Sequence, residues 1–444
     1  MDGSSPVPAA PRLIRTPWRS YKERLAGFAQ RVVDAQRPVK ILDAIKWSPE
    51  IFEKFRGSGW REMPVVSLDD YVRTDLGYDP ESVHAEFLKI ENSVRNEFGP
   101  DDLVARILAD TAAEYARVVE MLKARGTRRF YELSRELYGS PKDVLPDGQT
   151  ALRDVALHMY EVLTQLDERA LGDIEVADVP AEQVVDILNE RLAEIFGDGT
   201  VRVVLDDGIV ADAAAGSDYI KIRAAAMFSR RDIRVLEVHE GWVHLATNLN
   251  GQNQPVARWL AKGPPRAAAA QEGLAALLEI LTYSSSSARA RRINDRVLAV
   301  DKAEDGASFL DVFEWFRTEG YDEQTCFWST HRVFRGGLLD GGAPFTKDVV
   351  YTRGIVETYE FLRNAIAAGQ PEQIRWLFVG KVALADVPIL AAHAHEGIVR
   401  PPRFVPELFQ NLNGLGIWLG ISTLFGRLKR RALARHYEAL FNPD

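Results

Sequence analysis

Apolar side chains recur at helical spacing through most of the first 198 residues. Apolar residues three and four positions apart lie on one face of a helix, so the pattern predicts helices that pack on a common core. The start of the chain is rich in Pro, Ala, Gly and Ser, and we predict a disordered arm over residues 1–15 and a helical region over 16–198. The clearest predicted helices cover residues 21–39, 100–125, 150–171 and 180–196.

The pattern changes after residue 198. Residues 201–205 form a β-branched run, and the Asp206-Asp207-Gly208 sequence that follows is typical of a hairpin turn. Residues 209–213 are the expected returning strand, and residues 219–223 alternate like a third strand. Helical spacing resumes at residue 231. We therefore predict an α+β chain, dominated by helices, in which a small antiparallel sheet lies next to the helix that starts at residue 231, within a second region at 199–444.

Two histidines on the helix predicted at residues 231–248 indicate a metal site. His239 is followed directly by Glu240, and His244 comes five residues after His239. In a regular α-helix, five residues turn ~500° and leave the two rings roughly 140° apart. A π-type distortion takes up one extra residue per turn and brings both rings to one face. Gly241 lies where this distortion is expected; the alternative is two unrelated histidines on an amphipathic helix.

A third ligand is expected from the apolar helix predicted at residues 268–283. Glu272 and Glu279 lie seven residues apart on it, and hence nearly on one face. A carboxylate carried into an apolar helix contact must be paired or bound to a cation. We predict that Glu272 is the third ligand and that Glu279 lies behind the ligands or on the helix surface. The alternative for Glu272 is an acid near the start of a helix, stabilised by the helix dipole.

This set of residue types favours zinc in a catalytic site. The chain has one cysteine, Cys326, which excludes an internal disulfide and a cysteine-based zinc cluster. Two histidines, one carboxylate and an open position for water are typical of catalytic zinc. Zinc lowers the pKa of water towards ~7, and Glu240 is the predicted general base.

Several stretches around these residues carry a family resemblance. The most specific is Gln271-Glu272-Gly273-Leu274-Ala275, and the others are His239-Glu240 with His244, Lys221–Arg223, Arg231–Ile233, Arg332–Gly337, Thr346–Asp348 and Phe378–Lys381. On these residues the chain resembles bacterial proteins of the Gln-Glu-Gly-Leu-Ala motif family, described as flavohemoglobin expression-modulating. It is similar, more distantly, to the eukaryotic microtubule-associated tyrosine carboxypeptidases.

The resemblance implies a zinc metallopeptidase with a His-Glu-x-x-x-His helix, the motif glutamate completing the metal site. In the eukaryotic relatives the implied activity is removal of the C-terminal tyrosine of tubulin. This chain has Gly241-Trp242-Val243 where the family usually has Ile-Gly-Thr or Val-Gly-Thr. This difference from the family motif leaves the predicted ligands His239 and His244 in place, but the bulky Trp242 is expected to change the shape of the pocket.

A carboxypeptidase must hold a free carboxylate, which arginine does through two parallel hydrogen bonds. An aminopeptidase would instead require an acidic pocket for the substrate amine. A donor to the tetrahedral oxyanion is also needed, and Tyr351 or His331 is the candidate. For all these residues the alternative is a structural role or a solvated face. The candidates for binding the substrate carboxylate are Arg223, Arg332, Arg335 and Lys347.

Composition narrows the function classes further. The chain has 444 residues and a formal net charge of -9, which argues against a general binder of nucleic acid or anionic membranes. The apolar run at residues 415–425 is shorter than the ~20 residues of a spanning helix. No signal peptide is indicated, so a cytoplasmic location is expected. Residues 427–440 predict a basic amphipathic helix, either solvated or facing an acidic partner or membrane surface.

The prediction is therefore a zinc carboxypeptidase that acts on peptide or protein C-termini, with C-terminal aromatic residues, tyrosine included, among the expected substrates. One alternative is a non-enzymatic regulatory or interaction protein that keeps the zinc site. Another is a zinc hydrolase that acts on a non-peptide amide. The sequence indicates no particular oligomeric state.

Overall fold

A computed structural model of the chain describes residues 15–71, 75–172, 175–209, 212–425 and 437. The arm predicted at residues 1–15 lies outside the described residues apart from its last residue, and the basic stretch predicted at 427–440 lies outside them apart from Tyr437. The described chain is dominated by helices and carries small sheets, which confirms the α+β prediction. No helix among the described residues is both long and apolar enough to cross a membrane.

The helices before residue 198 follow the predicted pattern closely. Helix α5 has buried residues along its whole length, because its apolar side chains recur every three or four positions. It starts at a standard cap, where the Asp102 carboxylate accepts a hydrogen bond from the Ala105 amide at 2.9 Å. These helices are α1 (Arg15–Gln36), α2 (Ile41–Ala44), α3 (Pro49–Gly57), α4 (Pro80–Phe98), α5 (Leu103–Lys123), α6 (Arg128–Tyr138), α7 (Leu152–Thr164), α8 (Glu168–Leu171) and α9 (Ala181–Phe196).

The sheet next to the helix that carries His239 and His244 is mixed, which corrects the antiparallel prediction. Strand β1 (Val179–Pro180) pairs with β5 (Met227–Phe228), and a separate three-stranded sheet contains β2 (Arg202–Asp206), β3 (Ala213–Ala215) and β4 (Tyr219–Arg223). Strand β4 lies in the centre, parallel to β2 and antiparallel to β3.

Strands β2 and β3 lie on opposite sides of β4 in the described chain, so the hairpin predicted at Asp206-Asp207-Gly208 is wrong. The hairpin of this sheet joins β3 to β4. Burial decides the pairing, since Ile220 and Ile222 of β4 are fully buried and need a strand on either side to satisfy their backbone. The turn sequence alone could not indicate this order.

Two apolar cores hold the molecule together. The smaller core packs α9 against the sheet and includes Leu192, Ile220 and Leu245. The larger core draws apolar side chains both from the helices before residue 198 and from the helices after it. The hydrophobic pattern of the sequence changes at the predicted boundary at 198–199, but the larger core contains residues from both sides of it.

The remaining helices run from residue 230 to residue 425. A 3-10 turn at Thr346–Val349 leads directly into α16, and its residues lie beside the site described below. The helices are α10 (Arg230–Leu236), a π-helix (Glu237–Leu245), α11 (Ala246–Gln252), α12 (Ala268–Leu281), α13 (Ser287–Glu304), α14 (Phe309–Thr318), α15 (Glu323–Phe334), α16 (Val350–Ala367), α17 (Glu372–Arg375), α18 (Val387–Ala392), α19 (Glu407–Gln410) and α20 (Asn413–Phe425).

Candidate metal centre

The helix that carries the two histidines contains nine residues of π-helix, Glu237–Leu245, between α10 and α11. This confirms the distortion predicted from the five-residue spacing. The wider turn brings the rings of His239 and His244 together, with centroids 4.8 Å apart and planes at 80°. The five-residue spacing would separate the two imidazoles in an α-helix, but the π-helix brings both to one face.

The π-helix packs against α9 through the residues that depart from the family motif. A Cβ atom at Gly241 would lie 2.8 Å from Cδ2 of Leu192, so glycine allows the wide helix to approach α9 closely. The Trp242 ring lies 6.2 Å from the ring of Phe196 on the same helix. The Gly241-Trp242 pair therefore belongs to this helix contact.

Three side chains meet at the open face of the π-helix. His239, His244 and Glu272 each offer a ligand atom, and these atoms all lie within 4.8 Å of one another. The Oε2 atom of Glu272 is 3.5 Å from Nε2 of His239 and 3.7 Å from Nε2 of His244. This oxygen is buried and has no hydrogen-bond partner in the described part of the chain. Two imidazole nitrogens and an unsatisfied carboxylate oxygen fit a divalent cation such as zinc.

A close backbone contact between α12 and α16 positions Glu272. A Cβ atom at Gly273 would lie 2.1 Å from the carbonyl oxygen of Gly354, and one at Gly354 would lie 2.0 Å from that of Ala269. Only glycine permits such an approach. The contact brings Oε1 of Glu272 to 3.8 Å from Nζ of Lys347.

Glu279 lies directly behind His239. Its Oε1 atom is 2.6 Å from Nδ1 of His239, and Arg289 donates two hydrogen bonds to its carboxylate at 2.6 and 2.8 Å. Glu279 is fully buried against the His239 ring, so it does not lie on the helix surface, which was one of its two predicted positions. With Nδ1–H donating to Glu279, the Nε2 lone pair of His239 is left for the site.

The charges around His239 call for a cation. Burial alone would lower the pKa of His239, but the carboxylates of Glu272 and Glu279 raise it to about 10. Burial alone would raise the pKa of Glu279, but Arg289 and His239 lower it to about 2. The two imidazoles and Lys347 likewise hold the pKa of Glu272 well below its ordinary value against burial. Without a metal, a proton on His239 supplies the positive charge that these acids require.

Glu240 projects towards the small sheet. Its Oε2 atom accepts a hydrogen bond of 3.0 Å from the backbone amide of Ala215, the last residue of β3. This contact fixes the carboxylate that follows the first histidine, and it joins the sheet to the π-helix.

A basic cluster surrounds Tyr351 on α16. The guanidinium of Arg296 lies 5.2 Å from the Tyr351 ring centroid, and the Lys347 ammonium lies 6.0 Å from it. Arg332 donates two hydrogen bonds of 2.7 Å to Asp348, which makes a structural ion pair. Burial and the charge of Glu272 raise the pKa of Tyr351 to about 12, so its hydroxyl stays protonated and can donate.

Two arginines of this cluster lack a carboxylate partner within the described residues. Arg335 is 6% exposed, and its Nε atom has no hydrogen-bond partner there. Burial and the neighbouring Arg332 lower the pKa of both Arg335 and Arg296 to about 10. A buried surplus of positive charge is costly unless an anion binds beside it.

The sequence did not single out three basic residues of this region: Arg289, Arg296 and Lys381. Burial lowers the pKa of Lys381, while Glu272 and Glu240 raise it, so its ammonium lies near the proposed ligand and base. The sequence feature that could have pointed to Lys381 is the family resemblance over Phe378–Lys381. Arg289 and Arg296 lie seven residues apart and therefore nearly on one face of a helix. The neighbouring sequence does not indicate whether that face is turned towards the site or exposed to solvent.

Two predicted site residues have their contacts elsewhere. Arg223 pairs with Asp212 at the end of β4. His331 lies in an aromatic cluster, with its ring centroid 4.6 Å from that of Trp47. Neither ring nitrogen has a hydrogen-bond partner within the described residues, and burial together with Arg335 and Arg332 lowers the pKa of His331 well below its ordinary value. The structure thus unites His239, Glu240, His244, Glu272, Lys347 and Tyr351, with Arg332 and Arg335 beside them.

The sequence matches a family model over residues 53–427, a span that contains every residue of the site. The model describes the microtubule-associated tyrosine carboxypeptidases. The chain belongs to this family. Membership of a carboxypeptidase family supports a peptidase activity for this chain. A comparison with curated proteins finds no match.

Proposed function

We propose that the chain is a zinc-dependent carboxypeptidase of the branch that carries the Gln-Glu-Gly-Leu-Ala motif. The observation that carries the proposal is that His239, His244 and Glu272 converge on one point. The two histidines reach this point through a π-helical segment, which an ordinary amphipathic helix would not need. A mixed nitrogen and oxygen set with three protein ligands is typical of catalytic rather than structural zinc.

These three residues would hold the ion, and Glu279 would keep the His239 ring in place through Nδ1. Zinc, when bound, supplies a Lewis acid and lowers the pKa of a water molecule. Family membership supports the carboxypeptidase type, and the five-residue spacing supports one shared ion.

Glu240 is the proposed general base. It follows a proposed ligand directly in the sequence, and the Ala215 amide holds its carboxylate by a hydrogen bond of 3.0 Å. It would accept a proton from the attacking water and then deliver it to the nitrogen of the leaving residue. Tyr351, whose hydroxyl stays protonated, is the proposed donor to the oxyanion.

The basic cluster is the proposed binding site for the substrate's terminal carboxylate. Arg296 and Arg335 form no ion pair with a carboxylate in the part of the chain that the structure describes. Lys347 lies 3.8 Å from Glu272, which is itself a proposed zinc ligand, so its charge is also available to the substrate. Arg332 is engaged by Asp348, so its proposed role is to hold the cluster together. A carboxylate beside these groups distinguishes a C-terminal residue from an internal one, and the family description makes tyrosine the first residue to test.

The test compares Glu240→Gln with Glu237→Gln, a neighbouring substitution on the same π-helix. Wild-type protein should contain about one zinc per chain and should release the C-terminal residue from N-acetyl peptides that end in tyrosine. Glu240→Gln should keep the zinc and lose about 10²-fold or more of kcat. Glu237→Gln should keep both the zinc content and the kcat of the wild type. Zinc-free protein after purification without chelators, or full activity of Glu240→Gln, would contradict the proposal.

A further inference from the structure

Helix α20 packs on the described part of the molecule through one of its faces. Leu415 and Leu419 are buried and belong to the larger core. The Ser422 hydroxyl lies 3.0 Å from the Tyr359 hydroxyl on α16. Positions 415, 419 and 422 are four and three residues apart, so these side chains lie on one face of the helix. This packed face holds α20 against α16.

The opposite face of α20 is apolar and exposed. Ile417, Ile421 and Leu424 each lie two residues after a member of the packed face, a turn of about 200°, and their exposed fractions are 68%, 45% and 59%. Trp418 and Phe425 flank them and are also exposed. The sequence of the helix contains no charged residue. The outer face of a surface helix is ordinarily polar, so this outer stripe of Ile417, Ile421 and Leu424 indicates a contact with an apolar environment.

The sequence that follows α20 is strongly basic. The acids of residues 426–444 are Glu438 and Asp444, and five cations precede them: Arg427, Lys429, Arg430, Arg431 and Arg435. Apolar and aromatic side chains next to a cluster of Lys and Arg are typical of segments that lie in the interface of an anionic membrane. The apolar groups enter between the lipid headgroups, and the cations are attracted to the negative surface. The chain as a whole carries a formal charge of -9, so the attraction depends on this local concentration of cations.

A membrane surface fits both features of this region. A second copy of α20 would cover the outer stripe, but it offers no acidic residue to pair with the five cations. A membrane supplies an apolar layer and a layer of negative charge next to each other. The 13 residues of α20 span about 20 Å, which is shorter than the ~30 Å hydrocarbon layer. The helix would therefore lie along the surface.

We propose that α20 and the basic residues after it attach the protein to the surface of a membrane that contains anionic phospholipid. The outer stripe enters the interface, and the cations lie beside the lipid phosphates. The attachment does not depend on the zinc site or on the proposed activity. Helix α16 carries Tyr351 of the candidate site, and Tyr359 of the α20 contact follows about 12 Å further along the helix axis. Attachment would thus hold the site close to the membrane.

The first test measures binding of the wild-type protein to vesicles by co-sedimentation. One set of vesicles contains equimolar phosphatidylcholine and phosphatidylglycerol, and the other contains phosphatidylcholine alone. The Kd should be at least about tenfold lower for the anionic vesicles, because several cations face the surface. Binding should weaken as the ionic strength rises above about 0.1 M. Absence of binding to the anionic vesicles, or equal Kd values for the two sets, would overturn the proposal.

A pair of substitutions tests the outer stripe. Ile421→Gln with Leu424→Gln should raise the Kd for the anionic vesicles about tenfold or more, because two apolar side chains no longer enter the interface. Val65→Gln with Leu68→Gln is the matched control, since it replaces two exposed apolar side chains elsewhere on the surface. The control should bind like the wild type, and both proteins should keep the wild-type midpoint of urea unfolding. An unchanged Kd in the α20 pair, or an equal rise in the control, would contradict the proposal. The vesicle comparison with the wild type decides the matter if the α20 pair does not fold.

A second pair tests the cations. Arg430→Gln with Arg431→Gln should raise the Kd for the anionic vesicles about tenfold or more. Arg19→Gln with Arg37→Gln, at exposed positions of the first helical region, changes the net charge equally and should leave the Kd unchanged. An equal effect of both pairs would show that only the net charge matters and would overturn the local attachment. Sedimentation velocity without lipid tests the other occupant: a dimer that the α20 pair dissociates, with no binding to vesicles, would assign the outer stripe to a second copy of the chain.

Discussion

Nδ1 of His239 lies 2.6 Å from Oε1 of Glu279, and both groups are buried. The hydrogen bond fixes which nitrogen of the ring carries the proton and which one faces Glu272. Arg289 holds the other side of the carboxylate, so the ring orientation depends on a chain of three residues from three helices, the π-helix, α12 and α13. This chain of contacts links the proposed zinc ligand His239 to Arg289, which does not offer a ligand atom.

Glu279→Gln should therefore weaken zinc binding without removing a ligand. The amide cannot stabilise the imidazole as a carboxylate does, and loss of such a partner typically costs 10- to 100-fold in affinity. Competition with a chromogenic chelator measures the change. Glu190→Gln, at an exposed position on α9, should bind zinc like the wild type. Equal affinity in Glu279→Gln and the control would show that this contact does not support the metal.

Gly273→Ala should separate α12 from α16. The new Cβ would stand 2.0 Å from the Gly354 carbonyl carbon, which no rotamer change relieves. We expect a loss of about 3 kcal/mol in the free energy of unfolding, together with lower zinc content. Gly27→Ala is the matched control, because nothing lies within 4 Å of its Cβ in α1. That variant should gain about 0.5 to 1 kcal/mol in urea unfolding; similar stability for both variants would contradict the contact.

Metal-free protein should lose stability as the pH rises from 6.5 towards 10. The pKa of His239 is about 10 in the folded chain, against 6.5 as its ordinary value. A raised pKa means that the protonated group stabilises the fold; this contribution is complete below pH 6.5 and disappears as the pH rises through about 10. The slope is at most about 1.4 kcal/mol per pH unit. The proposed zinc ion would take the place of this proton, so protein loaded with zinc should lack this slope in urea unfolding at pH 6.5, 8 and 10. If the free energy of unfolding of the metal-free and zinc-loaded proteins changed equally with pH, His239 would not be the group that titrates.

Arg332→Met should mainly lower the stability of the fold, whereas Arg335→Met should mainly weaken the binding of C-terminal peptides. Loss of Arg332 leaves Asp348 buried without its main partner, which should cost about 3 to 5 kcal/mol in the free energy of unfolding. Arg335 has no carboxylate partner in the described chain, so Arg335→Met should stay within about 1 kcal/mol of wild type. It should raise KM for C-terminal peptides about tenfold through the lost charge. Equal destabilisation by both substitutions would refute this division of roles.

The sequence was most informative where one helix determines the geometry. The spacing of His239 and His244 predicted a π-type distortion, because helical pitch is a local property, and the structure contains it. The position of Glu272 in an apolar helix predicted a buried carboxylate, and its Oε2 atom is buried beside both imidazoles.

Features that depend on packing between distant segments were not predictable in the same way. The parallel pairing of β2 with β4 depends on which strand takes the buried centre, and the turn at Asp206-Asp207-Gly208 carries no information on that. Arg296 and Lys381 look like ordinary surface cations in the sequence. They reach the site because α13 and the Gly380 turn pack there, with Gly380 so close that a Cβ would lie 2.5 Å from Cβ of Leu260.

The π-helix also suggests how the site relates to ordinary zinc peptidases. Their His-Glu-x-x-His helix has one residue fewer between the ligands than this chain has between His239 and His244. An insertion of one residue would rotate everything beyond it by about 100° in a regular α-helix and would disperse the ligands. Here the wider turn absorbs the extra residue locally, and the helix continues as α11. One extra residue between the two histidines is thus compatible with both rings on one face, because the helix widens only at that point.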